Sequence, residues 1–430
     1  MGLTNLPAQD PPNVVLIIAD DLGWGDVGYL GSKLHTPNID KLAEEGLQLD
    51  RFYTAPICSP TRAGILTGRY PNRYGLRNNV VRPWLDFGLD TTEVLLPEML
   101  AQAGYDRRGL VGKWHLGHSR KAYHPLARGF TDFYGHLNGA IDYFQHTREE
   151  QKDWFEGYAP SDDEGYTTTL ITKRATRYLR QYKAAGGPFF LQVAYNAPHS
   201  PLQATHKYLD RNGFDPNKKR FLPGKAKGNT RRQTFAAMVE QMDNGIGVIL
   251  QTLEELGIAE NTLVIFLSDN GAETKFGGSS GELRGKKLTE WEGGIRQPAL
   301  VRWPAKIKGG KKSKEVMAYV DLFPTLAALV APNYQPARPF DGINLLPQWL
   351  KRKKNPDRLF YAGNGVLLSK YWKYVQVADA TKAMGIKKDH LFRIDEDPSE
   401  RVNLLVGQPD QARKMRLALD RFAAMLSSQP

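Results

Sequence analysis

The sequence predicts an α/β fold, a large mixed but mostly parallel sheet sandwiched by helices, and three observations carry that reading. Three runs, Asn13 to Ala19, Phe189 to Tyr195 and Thr262 to Leu267, read as strands buried on both faces, the first of them continuous, apolar and β-branched. Capped or amphipathic helical segments separate them, the alternation expected when parallel strands are joined by helical crossovers. Each run also stops on polar residues, Asp20-Asp21, Asn196 to His199 and Ser268-Asp269-Asn270. The carboxyl ends of parallel strands are where ligands of open α/β sheets collect.

From the N-terminus, Asn13 to Ala19 runs straight into Asp20 and Asp21, adjacent carboxylates that repel each other and lose hydration unless solvent or a cation compensates. The next residues, Gly23-Trp24-Gly25-Asp26-Val27-Gly28, satisfy the G-x-G-x-x-G spacing of a dinucleotide site. Asp20, Asp21 and Asp26 would repel a pyrophosphate, and no strongly helical pattern follows, so that reading is rejected. Thr36 to Glu45 has a cap, a proline at the first helical position and Gly46 behind it, and reads as a short helix. Leu47 to Tyr53 reads as the next strand and delivers the chain to Cys58, its single cysteine. Ser59 fits a cap and Pro60 a first helical position, which leaves Cys58 at the positive end of a helix. An anion is favoured there, and Arg62, one turn on, can point back at the same spot.

Leu95 to Ala103 before Gly104 is another helix. In Gly112-Lys113-Trp114-His115-Leu116-Gly117-His118, Lys113 and His115 sit two apart, so an extended backbone would point both to one side. A cation there can hold an oxyanion, and a histidine can move protons near neutral pH. Gly129 to His146 reads as a loop carrying Phe130, Phe133, Tyr134, Tyr143 and Phe144, either a sugar-stacking surface or a loop anchored by buried aromatics. Asp142, Tyr143 and His146 are its candidate substrate contacts. His199 follows the second buried run between two prolines, and Gln233 to Leu256 is a long amphipathic helix explained by packing. Asp269 and Asn270 would join Asp20 and Asp21 in one hard-oxygen cluster if their strands are neighbours, a donor set that favours Ca²⁺ or Mg²⁺ over zinc. Lys286-Lys287, ahead of Trp291-Glu292-Gly293-Gly294, fits an exposed turn, and Gly277 to Gly281 fits a rim loop.

Beyond Leu350 the character changes. Lys351 to Asp357 suits a linker, and the remainder reads as a few strands and a terminal helix from Gln408 to Leu426, dividing the chain into segments 1–350 and 351–430. At 430 residues one large domain plus a smaller one is expected. One cysteine excludes an internal disulfide framework, and no apolar run reaches the length of a membrane span. Met1 to Asn13 is polar and proline-rich with no visible signal peptide. The expected compartment is cytoplasmic, or periplasmic or secreted if a signal peptide has been omitted. The net charge of +12 points to acidic partners, but Lys306 to Lys314 and Lys351 to Lys354 read as solvated loops and no nucleic-acid motif accompanies them. Neither nucleic acid nor membrane is an expected partner, and the oligomeric state is left open.

Cys58-Ser59-Pro60-Thr61-Arg62 with Thr67-Gly68-Arg69 resembles the signature of the formylglycine-dependent (type I) sulfatases of the alkaline-phosphatase superfamily. Asp20 to Asp26, Gly112 to His115, Lys287 with Glu292-Gly293-Gly294, and the closing Asp397-Pro398-x-Glu400 with Asn403-Leu404 match the same family, so the resemblance spans essentially the whole chain. It implies an alkaline-phosphatase-like sheet followed by a small C-terminal antiparallel sheet and helix. It further implies conversion of Cys58 to formylglycine (3-oxoalanine) by a formylglycine-generating or anaerobic maturation enzyme, the hydrated aldehyde being the nucleophile. As the resemblance implies, Asp20, Asp21, Asp269, Asn270 and residue 58 hold Ca²⁺, with Mg²⁺ the alternative. Lys113, Lys287 and Arg62 surround the sulfuryl group, His199 protonates the leaving group, and His115 takes the proton that releases sulfate.

Within the family, Leu283 to Gly294 together with Asp142-Tyr143 looks most similar to the N-acetylgalactosamine-4-sulfatase (arylsulfatase B) branch. That implies a sulfated hexose or hexosamine of a glycosaminoglycan or algal polysaccharide as substrate. A phosphodiesterase or phosphonate monoester hydrolase on the same core, and a catalytically inactive carbohydrate-binding relative, are the rival expectations.

Overall fold

Five parallel strands form the centre of a ten-stranded sheet: β1 (Asn13–Ala19), β2 (Arg107–Lys113), β3 (Asp132–His136), β4 (Phe189–Ala194) and β5 (Thr262–Ser268). Their order across the sheet is β5-β1-β4-β2-β3, every pair parallel, so all five carboxyl ends meet one edge. Antiparallel strands flank them, Ala299–Arg302 beside β5 and Phe155–Glu156 beside β3, which makes the sheet mixed. The structure is a computed structural model and describes residues 11–218, 229–351 and 353–427. The N-terminal stretch to Asp10 and Arg352 of the basic run lie outside the described residues.

β1 shows why the sheet sits at the centre. Val14, Leu16 and Ile18 enter one apolar cluster and Val15, Ile17 and Ala19 the other, the two-residue period of a pleated strand with both faces covered. Each fully buried Val, Leu or Ile contributes roughly 1.5–3 kcal/mol. Helices Pro37–Glu45, Thr167–Ala185 and Arg231–Glu255 pack together over one face. Helices Cys58–Thr67, Leu96–Gln102 and Leu322–Val330 cover the other. Among the described residues no helix is long and apolar enough to cross a membrane.

Four segments differ from their sequence expectation. Leu47 to Tyr53 is not one strand: Leu47–Leu49 joins the main sheet, and Phe52–Tyr53 pairs with Met317–Ala318. The break falls at Asp50-Arg51, where Asp50 N donates to Ser313 O and the Arg51 guanidinium binds the carbonyl of Lys370. The cysteine helix starts at Cys58 itself, capped by extended Ile57, because the Ser59 hydroxyl donates to the carbonyl of His115 instead of capping. Gly129 to His146 is not a loop throughout, since β3 runs through it. Part of the basic stretch Lys306 to Lys314 is likewise ordered: Lys311–Ser313 is the outermost strand, and exposed lysines there discourage pairing with another chain.

The C-terminal region forms a four-stranded antiparallel sheet, Phe360–Gly363, Val366–Leu368, Trp372–Val375 and His390–Arg393, against which helix Pro409–Ser427 packs. Its apolar side belongs to the same cluster as Val14 and Leu16. A buried ion triad ties it down: Lys373 Nζ lies 3.0 Å from Glu292 and 2.8 Å from Glu400, all three side chains sealed from solvent.

Candidate active site

Helix Cys58–Thr67 is buried along its whole length, an uncommon environment for a segment with so few large apolar residues. Gly64 permits the packing, because a Cβ there would lie 2.0 Å from the Tyr319 ring. The sheet edge supplies the partners. Asp20 and Asp21 follow β1, Lys113 ends β2 with His115 beyond it, His199 lies past β4, and Asp269 and Asn270 follow β5. Backbone bonds lock these ends together, Asp269 N to Ala19 O at 3.0 Å and Asp20 N to Ala197 O at 3.1 Å. Lys287 arrives on a separate loop held by its own N–H to Ala272 O at 3.1 Å and by Leu288 N to Pro56 O at 2.9 Å.

The charges interlock. Arg62 reaches Asp269 through Nε at 2.9 Å and donates through Nη1 to the Lys113 carbonyl at 3.1 Å. Lys113 Nζ lies 2.5 Å from Asp20, and Lys287 Nζ lies 2.6 Å from Asp21, which also accepts from Asn270 Nδ2 at 2.7 Å. His199 Nε2 is 3.7 Å from Asp21. Its Nδ1–H donates to the Ser200 carbonyl at 2.6 Å, which leaves Nε2 facing the site. His115 is the converse: Nε2–H donates to the Val81 carbonyl at 3.1 Å, and Nδ1 is buried with no partner, free to accept a proton. Asp21 and His115 have φ of 69° and 61°, a left-handed backbone that costs energy and concentrates at functional sites. The extended-strand argument for Lys113 and His115 therefore fails, because the chain turns between them. The turn nonetheless keeps His115 within electrostatic reach of Lys113, Arg62, His199 and Lys287.

Burial dominates the protonation of the site and the neighbours then decide it. Burial pushes the Cys58 thiol up, against the pull of Lys113 and Lys287. Burial also pushes Asp269 up to about 6, with Asp20 repelling it and Arg62 opposing. Asp21 overcomes its burial and falls well below the usual carboxylate range because Lys287 and His199 lie beside it. His115 is held well below its ordinary value by burial and then by Lys113 and Arg62.

The oxygen donors fit a divalent cation. Asp20 Oδ1 and Asn270 Oδ1 are buried acceptors with no hydrogen-bond partner, and such atoms are costly unless something binds them. Asp20, Asp21 and His199 also offer ligand atoms within 4.8 Å of one another. Carboxylate and amide oxygens suit a hard cation.

The three candidate substrate contacts are each engaged within the protein. Tyr143 is buried, and its hydroxyl bonds the carbonyls of Asn196 and His199, both at 2.7 Å, so it holds the His199 loop in place. His146 is buried against Trp154, with Nε2 donating to Gly165 O at 2.8 Å. Asp142 accepts from the N–H groups of Phe144 and Gln145 and from Gln203, so it shapes the turn. Phe130, Phe133 and Tyr134 are core residues, which leaves Phe144 as the exposed aromatic of that stretch.

One residue of the site has no sequence signal of its own. His136, at the end of β3, is fully buried, donates from Nδ1 to Asn138 O at 2.9 Å, and feels Lys113 and Arg62.

Comparison with known proteins agrees with this geometry. The family model described as Sulfatase matches residues 12–331. N-acetylgalactosamine-6-sulfatase of Mus musculus is 35% identical over 394 residues, covering 86% of this chain and 72% of that protein. Arylsulfatase A of Bos taurus is 34% identical over 442 residues, covering 93% of this chain and 84% of that one. The crystal structure of Ps i-CgsB in complex with k-i-k-neocarrahexaose superimposes with a TM-score of 0.86 at 30% identity, covering 98% of this chain and 94% of that one.

Proposed function

The chain belongs to the sulfatase family, and on that premise we propose how this sulfuric ester hydrolase acts and on which sulfated saccharide. The observation that carries the reading is the convergence of Cys58 with the acidic strand ends and with Lys113 and Lys287 at one sheet edge. Matured to formylglycine, residue 58 supplies a hydrated aldehyde as nucleophile. Asp20, Asp21, Asp269 and Asn270, with residue 58, would hold the family's divalent cation, which would supply positive charge to a sulfate oxygen and would acidify that hydrate. Calcium is the proposed ion and magnesium the alternative, since hard oxygen donors suit both.

Lys113, Lys287 and Arg62 place positive charge around the sulfuryl oxygens, and Arg62 also holds Asp269. Lys113 is fully buried, whereas the Lys287 and His199 side chains keep 11% and 17% exposure, so the ester enters from their side. His199 then faces the leaving oxygen and donates its Nε2 proton there. In the protein alone burial holds His199 down to about 3, with Asp21 opposing and Lys287 and Lys113 assisting. The negative ester oxygens shift that balance toward the imidazolium. His115 Nδ1, the unpartnered base, accepts the proton whose removal releases sulfate.

For the substrate we propose a sulfated galactose or galactosamine unit of a glycosaminoglycan or algal polysaccharide. A relative named for N-acetylgalactosamine 6-sulfate and another bound to a carrageenan-type hexasaccharide support it. The experiment is sulfate release from 4-nitrophenyl sulfate and from defined sulfated saccharides, on protein whose conversion at residue 58 is verified by intact mass. Cys58→Ala abolishes turnover, and a large preference for an aryl phosphate diester would reassign the enzyme.

A further inference from the structure

Trp84 is 64% exposed, on a rim loop that is otherwise tied down. Val81 N donates to Ser59 Oγ at 3.4 Å, and the Val81 carbonyl accepts from His115. Two residues on, the Pro83 carbonyl accepts from His118 Nε2 at 2.9 Å, and Leu89 N returns to Leu116 O at 2.8 Å. The loop is thus fastened to the residue after Cys58 and to His115, and Trp84 emerges three residues later, at most ~11 Å along the chain from Val81. An indole left in water on a fixed backbone is a preorganised stacking surface, since little conformational freedom remains to be lost on binding.

Trp84 forms one wall of a cleft of about 480 Å³ whose other walls include His118, Asn138, Arg148, Lys152 and Phe155. The cleft starts where the site ends. His115 N donates to Leu137 O at 3.0 Å, and the His115 ring lies so close over Gly139 that a Cβ there would be 2.3 Å from Nε2. The charged groups around the cleft suit an anionic ligand. Arg82 sits 5.6 Å from the Trp84 ring centre, and Arg148 and Lys152 come from the hairpin opposite. Arg148 pairs with Glu149, and Lys152 with the almost fully exposed Asp162, contacts of the weak surface kind that an incoming sulfate can replace. The carboxylate of Asp153 is turned inward, accepting from Leu137 N and Asn138 N at 2.9 Å each.

We propose that this cleft binds the sugar ring next to the one whose sulfate is cleaved. Trp84 is its stacking face, and Arg82, Arg148 and Lys152 meet the neighbouring anionic groups, so the enzyme acts on a sulfated oligo- or polysaccharide in preference to a monosaccharide sulfate. The assignment rests on the sulfatase reading and deepens it.

The test compares kcat/KM on 4-nitrophenyl sulfate with kcat/KM on a carrageenan hexasaccharide and a chondroitin sulfate hexasaccharide, each set against the sulfated monosaccharide of its own repeat. One hexasaccharide is expected to outrun its monosaccharide sulfate in the wild type. Trp84→Ala is expected to cut that ratio about ten-fold, through KM more than kcat, while Trp84→Phe keeps most of it. Binding of the same hexasaccharide to a Cys58→Ala protein, which needs no maturation, is expected to weaken by a similar factor when Trp84→Ala is added. A wild type with no length preference, or a ratio that Trp84→Ala leaves unchanged, overturns the cleft while leaving the sulfatase intact. Matured wild type that cleaves no sulfate ester overturns both.

Discussion

Arg62 grips a single oxygen of Asp269 from two nitrogens, Nε at 2.9 Å and Nη2 at 2.8 Å. The other oxygen of that carboxylate is left to the Asp21 N–H at 3.3 Å and to the cation site. Only the planar guanidinium fork makes this contact. Arg62→Lys keeps the charge and loses the fork, so kcat/KM on 4-nitrophenyl sulfate should fall by about 10²-fold. Arg62→Ala leaves a buried carboxylate unpaired and should also cost about 3–5 kcal/mol in urea unfolding. An Arg62→Lys enzyme with wild-type kinetics would remove Arg62 from the proposed machinery.

If His199 protonates the leaving oxygen, its loss should depend on how much that oxygen needs the proton. His199→Ala should lower kcat about 10²- to 10⁴-fold on sugar sulfates and much less on aryl sulfates with acidic phenols. A plot of log kcat against leaving-group pKa should steepen in the variant. Equal losses across the series would assign the proton to another group.

Chelation should act on stability as well as on turnover. Asp20 Oδ1 and Asn270 Oδ1 are sealed acceptors beside Asp21 and Asp269, so a bound divalent ion stabilises the folded state by mass action. The thermal midpoint should drop in excess EDTA and return with added Ca²⁺, and Asn270→Ala should blunt that response. A midpoint indifferent to chelator and to both Ca²⁺ and Mg²⁺ would count against the cation site.

The ion triad predicts a pH dependence remote from the chemistry. Burial raises Glu400 to about 7, with Lys373 opposing and Glu292 adding repulsion. A folded carboxyl with a raised value holds its proton longer than the unfolded chain does. This term therefore favours folding at low pH and is lost as pH rises from about 4.5 toward 7. Glu400→Gln cannot ionise, so its urea midpoint relative to wild type should improve steadily across that window. A constant offset would show that Glu400 does not titrate there.

Much of the site is legible in the sequence because the reactive residues are tied to strand ends. A buried parallel strand announces itself by a continuous apolar run, and the residue that ends it sits at the ligand edge, so the residue pattern joins Asp20 and Asp21 to Asp269 and Asn270 on the condition that β1 and β5 are neighbours, and the two strands do pair. Lys113, His115, Lys287 and His199 follow from the family motif. His136 escapes because Phe133 and Tyr134 among glycines imitate an aromatic loop, while pairing with β2 makes that stretch a strand. Tyr143 and His146 are bonded to backbone carbonyls, and a sequence does not tell an aromatic that faces a ligand from one that braces the backbone behind it. The exposure of Trp84 and the contact between Glu292 and Lys373, 81 residues apart, are tertiary facts with no local pattern.

Lys373 also bears on how such proteins can be recombined. It belongs to the C-terminal sheet, yet it neutralises Glu292, the start of the short helix Glu292–Ile295 that follows the Lys287 loop. A chimera that borrowed a tail with no lysine at this place would leave Glu292 in the interior with the Tyr53 hydroxyl at 3.0 Å and Arg296 at 3.8 Å but without its lysine, five residues downstream of Lys287. Exchange between relatives should succeed only when both halves of that contact travel together.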